Sequence, residues 1–243
     1  MTRSITRENE SRQKAKYIIG DIAAAMLSWV VYYLFKIFVL EISPFSFGTK
    51  FFVSLSLYTA GWSFLHYLSG YYNSTFIKSR LNELVTTFAT TLLGCLVLFF
   101  ITVSNDEIEY NEINISITVL FLLQFSLTYI IRLCQTQRIA HMIHDREIGF
   151  NTLIIGTGRH ARQTAQMLNN LPLSSGYYII GFISYGDDKA EGLQAPVITL
   201  DKDNTLGKIT KENDVKNVII ATEHQDNDLM TLLISELNDT YIN

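Results

Sequence analysis

The hydrophobic pattern divides this 243-residue chain into two unlike parts. In the first, apolar residues come in runs of about 20, the length a helix needs to cross the hydrocarbon core with every backbone N–H and C=O satisfied internally. Four stretches meet that requirement: 17–40, with Asp21 near one end and Lys36 near the other; 50–68, at the head of the charge-free run Phe51–Ile77; 84–105; and 113–133. A linker helix over 134–149 follows, with Ile139, Met142, Ile143 and Ile148 at near-helical spacing. From 150 onward the apolar runs shorten to strand length. Asn151–Ile155 is a buried strand, an amphipathic helix reaches Leu168, and Tyr177–Ser184 and Val215–Thr222 are further buried strands. Ala195–Leu200 is a short strand, and Asp228–Asn238 a final helix. The order predicts a membrane α-helical bundle of four transmembrane helices, then a small α/β domain with a doubly wound parallel sheet of about four strands.

Composition sharpens the division. The chain is 48% hydrophobic and 17% charged, with mean hydropathy +0.19. Residues 17–133 hold 12 charged side chains in 117 positions and residues 134–243 hold 23 in 110, which excludes a single soluble globule. The net charge of −4 splits as +3 over 1–16, −2 over 17–133 and −5 over 134–243. No domain carries a basic face, and nucleic acid is set aside as a partner. Cys95 and Cys134, 39 positions apart with no CxxC or Cys/His cluster around them, exclude a zinc site or a disulfide framework.

Lys and Arg collect on the cytoplasmic side of membrane proteins. The N-terminal tail carries Arg3, Arg7, Arg12, Lys14 and Lys16; Lys78 and Arg80 follow the second span; Arg132 and Arg138 mark the exit of the fourth. The opposite loops offer Lys50 alone and, over Asp106–Glu112, four acids without a base. The expectation is a multi-pass protein with both termini cytoplasmic, residues 1–16 being a tail that stays attached because no small-residue cleavage pattern follows it. Tyr32, Tyr33, Trp62, Tyr67, Tyr71 and Tyr72 supply an interfacial aromatic belt. Asp21, Lys36 and His66 lie near span ends, where Asp21 and Lys36 can reach the interface, and no chain of acids crosses the membrane for a transporter.

The chemistry-bearing candidate is Gly156-Thr157-Gly158-Arg159-His160-Ala161, a G-x-G-x-x-A turn between a strand and a helix. Gly156 permits the tight turn, Gly158 lets the backbone approach a pyrophosphate, and Ala161 lets the helix pack on the strand, which marks the α/β domain as Rossmann-like. The N–H groups at the helix start face an anion, with charge available from Arg159, His160 or Arg162. Two readings stand side by side, a nucleotide or UDP-sugar phosphate site and a structural turn without ligand. NAD chemistry is disfavoured: the acid expected at the end of the second strand is Ser184, with Asp187 and Asp188 only later. His141, His144 and Asp145 have helical ligand spacing but nothing to complete a metal shell, so they form a solvated helix face.

Asp21 early in the first span, Gly70-Tyr71-Tyr72 leading into Arg80-Leu-Asn-Glu-Leu84, and Asn151–Ala161 followed by Ile180-Gly-Phe-Ile-Ser184 carry a resemblance. The chain resembles the N-terminal region, four membrane helices plus a Rossmann-like CoA-binding-type domain, of bacterial polyprenyl-phosphate hexose-1-phosphate transferases. The resemblance implies the bacterial inner membrane and the initiation of exopolysaccharide, capsule or O-antigen synthesis. It implies transfer of hexose 1-phosphate from a UDP-sugar to undecaprenyl phosphate, with a further transferase domain carrying an Asp-Glu pair and any Mg2+. No such pair follows a re-entrant apolar segment here, so no catalytic residue is assigned and the chain is expected to be the anchoring and regulatory front part. Implied partners are the bilayer, a nucleotide, and a second copy or polysaccharide assembly proteins. The alternatives are a stand-alone membrane-anchored nucleotide sensor, or the front end of a nucleotide-sugar dehydratase. The dehydratase chemistry would need a Tyr-x-x-x-Lys pair, which no tyrosine here provides.

Overall fold

The computed structural model describes residues 3–40, 48–73, 76, 79–103, 110–184, 193, 195–200, 205–223 and 235. In chain order the elements are β1 (Arg3–Ser4), α1 (Arg7–Phe38), α2 (Thr49–Leu68), α3 (Arg80–Val103), α4 (Tyr110–His144), β2 (Ile148–Ile155), α5 (Arg159–Asn170), β3 (Tyr177–Ser184), β4 (Val197–Thr199), α6 (Leu206–Glu212) and β5 (Asn217–Ile220). They form two compact units, Glu10–Ile139 and Met1–Asn9 together with Ala140–Asn243. The acids Asp187 and Asp188 and the helix expected over 228–238 lie outside the described residues.

The helical unit buries polar side chains among aromatic and aliphatic ones and turns apolar faces outward. Buried positions recur every fourth residue: Tyr58, Trp62 and His66 on α2; Glu83, Thr87 and Thr91 on α3; Ser116, Leu120, Gln124, Thr128, Arg132 and Thr136 on α4. On α1 the same face holds Tyr17, Asp21, Ala24, Ala25, Ser28 and Tyr32. The exposed faces carry Leu27, Leu57, Phe64, Val85, Phe88, Leu96, Phe100, Leu122 and Ile130. In water this distribution would be inverted; lipid reverses it, because tails solvate the apolar face and polar groups must find partners inside. Among the described residues three helices are long and apolar enough to cross a membrane, over Glu8–Phe38, Arg80–Val103 and Ile113–His144. The helix α2 has 20 residues and is diluted by Ser, Thr, Tyr, Trp and His.

Many of the Ser and Thr residues satisfy themselves. Thr59, Ser63, Thr86, Thr90 and Thr102 each donate to the carbonyl four residues earlier, at 2.7–2.8 Å. The buried hydroxyls instead join helices: Tyr58 donates to Gln124 Oε1 at 2.9 Å, Ser28 lies 3.2 Å from the same phenol, and Gln124 donates to Thr128 at 3.0 Å. Two elements differ from the sequence expectation. The linker over 134–149 is the continuation of α4, ending at His144 because Arg146 adopts a left-handed backbone with φ 59°. The cost of that conformation is offset by its guanidinium, which donates to the carbonyls of Asn169 and Leu171 at the C-terminus of α5. The first residues, expected as part of a tail, include a strand.

In the second unit, four parallel strands run in the order β5-β2-β3-β4. The register of β2 against β3 shifts after Thr152, leaving Ile180 as the extra residue of a bulge. The strand β2 is covered on both faces. Leu153 and Ile155 pack with Ile183, Leu206, Ile209 and Val215 on the α6 side, and Ile154 packs with Ala161 and Phe182 on the α5 side. A strand buried on both faces needs apolar residues or satisfied polar ones: β2 presents the run Leu153–Ile155, and ahead of it Asn151 donates to the Asn213 carbonyl and Thr152 to the Phe150 carbonyl. At its start, β1 adds in parallel, with the Ile5 N–H donating to the Gly149 carbonyl at 2.9 Å. The Asn151 carbonyl, on the same edge, accepts from Lys216 ahead of β5. Thus β1 and β5 share one edge of β2, and Ile5 is 1% exposed.

Two helix glycines should respond oppositely to alanine. A Cβ at Gly94 would strike the Trp62 ring, whereas one at Gly61 meets nothing within 4 Å. Gly94→Ala is expected to lower the thermal midpoint of the detergent-purified chain, and Gly61→Ala to hold or raise it by the helix propensity gain of about 0.5–1 kcal/mol.

Candidate functional site

The glycine-rich turn sits where the strand order reverses, between the C-terminal ends of β2 and β5, the place where ligands enter open α/β sheets. Gly156 has φ +117°, a conformation closed to most side chains, and a Cβ there would run into the Ala221 carbonyl. Its N–H donates to the Ile183 carbonyl at 2.8 Å, which ties the turn to β3. Thr157 is fully buried, Gly158 is the N-cap of α5, and Ala161 is fully buried against Ile154 and Phe182. The six candidate residues are therefore brought together as one strand-turn-helix corner, with Arg159 and His160 exposed.

The anion position at this corner is taken by the protein itself. The Arg159 N–H donates to Oε1 of Glu223, three residues beyond the end of β5. A Cβ on Gly158 would lie 2.7 Å from that oxygen and 2.9 Å from Glu223 Cγ, so a side chain there would make the exposed Glu223 side chain shift. His160 Nδ1 is 3.4 Å from the Thr222 carbonyl. Sequence reasoning missed Glu223: it is a single acid after a strand, 64 residues from Arg159, and nothing local to it marks a partner at the turn. Arg162 points elsewhere, lining a cavity of about 270 Å³ along α5 and β3 with Arg146, Gln166, Tyr177, Tyr178 and Phe182, none of which belongs to the turn.

A second constellation lies inside the helical unit. Arg132 Nε and Nη2 donate to the two oxygens of Asp21 at 2.9 and 2.7 Å, a bidentate pair with both side chains 1% exposed. Arg132 Nη1 donates to Thr87 at 3.0 Å, and the guanidinium lies 3.6 Å from the centre of the Tyr71 ring. Tyr72 donates to Asp21 at 2.7 Å, Tyr71 to Glu83 at 2.8 Å and Thr136 to Glu83 at 2.5 Å, with Tyr17 2.9 Å from Thr136. Burial pushes the hydroxyls of Tyr71 and Tyr72 well above the ordinary phenol range, and the neighbouring carboxylates add to this, so both stay proton donors at neutral pH. His66 is fully buried, and neither ring nitrogen has a hydrogen-bond partner among the described residues.

These positions correct the sequence expectations. Asp21 does not reach for the interface, and Arg132 is not a free loop charge; each neutralises the other because lipid offers neither a solvent. Tyr32, Trp62, Tyr71 and Tyr72 are not belt residues but buried ones, whereas Tyr67 is 68% exposed. His141 and Asp145 face each other at 3.1 Å on an exposed surface.

A unit of long apolar-faced helices and a small parallel α/β unit with a glycine-rich corner define a membrane-associated protein with a Rossmann-like domain. Residues 67–243 match the family model described as the CoA-binding domain, and the chain belongs to that family. The domain is found in sugar transferases. No curated protein matches the sequence. The diphosphate of coenzyme A at such a turn would need the Arg159 N–H and the space beside Gly158, and both are occupied by Glu223. As arranged here, the turn does not fit that group.

Gly156→Ala is expected to destabilise the α/β unit by about 1–3 kcal/mol, because it combines a forbidden φ with a backbone collision. Chemical denaturation followed by hydrogen exchange of the β2 amides checks this, with the β2 core losing protection.

Proposed function

We propose that the chain is the membrane-anchoring and regulatory part of a sugar transferase that initiates surface polysaccharide synthesis, moving hexose 1-phosphate from a UDP-sugar to undecaprenyl phosphate. The observation that carries the reading is the family match over 67–243, which embraces α3, α4 and the parallel sheet together and ties membrane helices to a domain found in sugar transferases. In this reading the helical unit anchors the protein in the bacterial inner membrane and contacts a second copy or polysaccharide assembly proteins. The turn Gly156–Ala161 is where a nucleotide or UDP-sugar regulates it. The chemistry belongs to a separate transferase domain.

We further propose that α2 is a fourth span and that both termini are cytoplasmic. The supporting argument is parity. The strand β1 precedes α1, yet it hydrogen bonds to β2, which follows α4. The two ends of the helical segment therefore lie on one side, which requires an even number of crossings. Three apolar helices need a fourth, and α2, with Leu57, Phe64 and Leu68 outward and Tyr58, Trp62 and His66 inward, has the right faces. The basic loops favour the cytoplasm for that side.

Two measurements test the reading. Incubated with UDP-hexoses, undecaprenyl phosphate and Mg2+, the purified chain is expected to release no UMP above background; sustained release would place catalysis in this polypeptide. In a Cys95→Ala/Cys134→Ala background, Ser46→Cys, ahead of α2, should react with an impermeant maleimide on intact cells and Ser74→Cys, after α2, only after permeabilisation. Equal labelling of both on intact cells would remove α2 as a span.

A further inference from the structure

The cavity between α5 and β3 lies away from the glycine-rich turn, and its volume of about 270 Å³ is close to the lower end of ligand pockets, about 300 Å³. Its floor is apolar. Phe182, 1% exposed, lies there, and Ala165 and Ile179 pack against the same buried cluster. The rest of the lining is aromatic and cationic. Tyr177 and Tyr178 contribute while staying 42% and 37% exposed, and two guanidiniums arrive from different elements, Arg162 from α5 and Arg146 from the junction of α4 and β2. Arg146 is fixed in place. Both of its bonds to the carbonyls of Asn169 and Leu171 come from Nη2, so Nη1 and Nε remain for a guest. Its φ of 59° is the kind of backbone conformation that persists where a side chain must be aimed at a site. The loop leading into β3 is tied down as well: Ser174, another lining residue, donates its N–H to the His144 carbonyl at 3.2 Å and accepts from the Gly176 N–H at 3.1 Å.

We propose that this cavity binds a small aromatic anion, a planar ring bearing one carboxylate or phosphate group. The charge argument is local. Residues 134–243 carry a net charge of −5, so most of this region repels an anion, but among the described residues no acid lines the cavity and two arginines do. A guanidinium offers a planar fork of N–H donors that matches the oxygens of a carboxylate or a phosphate. The ring argument rests on the floor and the tyrosines. An apolar base beside aromatic side chains favours a flat apolar body through burial and ring–ring contact. The volume suits a single ring with its charged group, not a dinucleotide. None of the residues Gly156–Ala161 lines the cavity, so the site stands whether or not the turn takes a nucleotide.

The test uses the full chain in detergent and photoprobes that share one ring: para-azidobenzoate, para-azidophenyl phosphate and the neutral para-azidobenzyl alcohol, with adducts mapped by peptide mass spectrometry. The anionic probes are expected to label the segments Arg162–Asn169 or Tyr177–Phe182 saturably, on the order of five-fold more than the neutral probe. Arg162→Gln should lower that labelling by a similar factor, and Arg162→Lys, which keeps the charge without the fork, by less. Lys211→Gln, on α6, should leave it unchanged. Competition by benzoate against phenyl phosphate identifies the charged group, and equal competition supports the class as stated. Equal labelling by the neutral probe, adducts confined to other segments, no adducts at all, or labelling undiminished in Arg162→Gln would each overturn the site. If Arg162→Gln lowers the thermal midpoint, the ratio of anionic to neutral labelling on the wild type and on Arg162→Lys decides by itself.

Discussion

A charge inside a lipid-solvated bundle has to be paired, and the Asp21–Arg132 ion pair is the interaction on which the helical unit turns. The guanidinium spends three of its nitrogens on Asp21 and Thr87 and lays its face on Tyr71. The carboxylate takes a further bond from Tyr72. One pair thereby connects α1, α3, α4 and the segment after α2. In lipid a lone carboxylate or guanidinium at this depth would cost several kcal/mol, so neither partner is tolerable without the other. The adjacent Glu83, Thr136, Tyr17 group extends the same logic.

The second unit obeys a related constraint at its glycine-rich corner. The start of α5 needs an anion, and the chain provides one from the far side of the sheet. The fold and the ligand question are thus coupled: the geometry that makes the corner receptive to phosphate is the geometry that Glu223 satisfies. Among the described residues the sheet, in the order β5-β2-β3-β4, is half of a dinucleotide fold. The pairing of β1 with β2 gives the two ends of the helical segment a common anchor in this sheet.

Much of this was legible in the sequence where the signal is local. Hydrophobic run lengths located α1 to α4, and β2, β3 and β5 were found within a few residues, because period and run length need no knowledge of neighbours. The corner residues Gly156 to Ala161 were legible because each glycine answers a steric demand made within the turn. The illegible features are all non-local or too short. The Asp21–Arg132 pair joins residues 111 apart, so each looked like a separate interfacial charge. Glu223 gave no sign of meeting Arg159. The strand β1 has two residues, below any periodicity, and took its structure from the edge of β2. Arg146 ended α4 through a backbone conformation that its residue type does not advertise.

The account stands on the claim that Asp21 and Arg132 are a single buried unit, and a double-mutant cycle on unfolding of the detergent-solubilised chain tests it most directly. Asp21→Leu and Arg132→Met alone should each cost about 3–5 kcal/mol by stranding the partner charge, and the double variant should cost less than either. Additive losses, or single variants as stable as wild type, would contradict the pairing and with it the inside-out bundle.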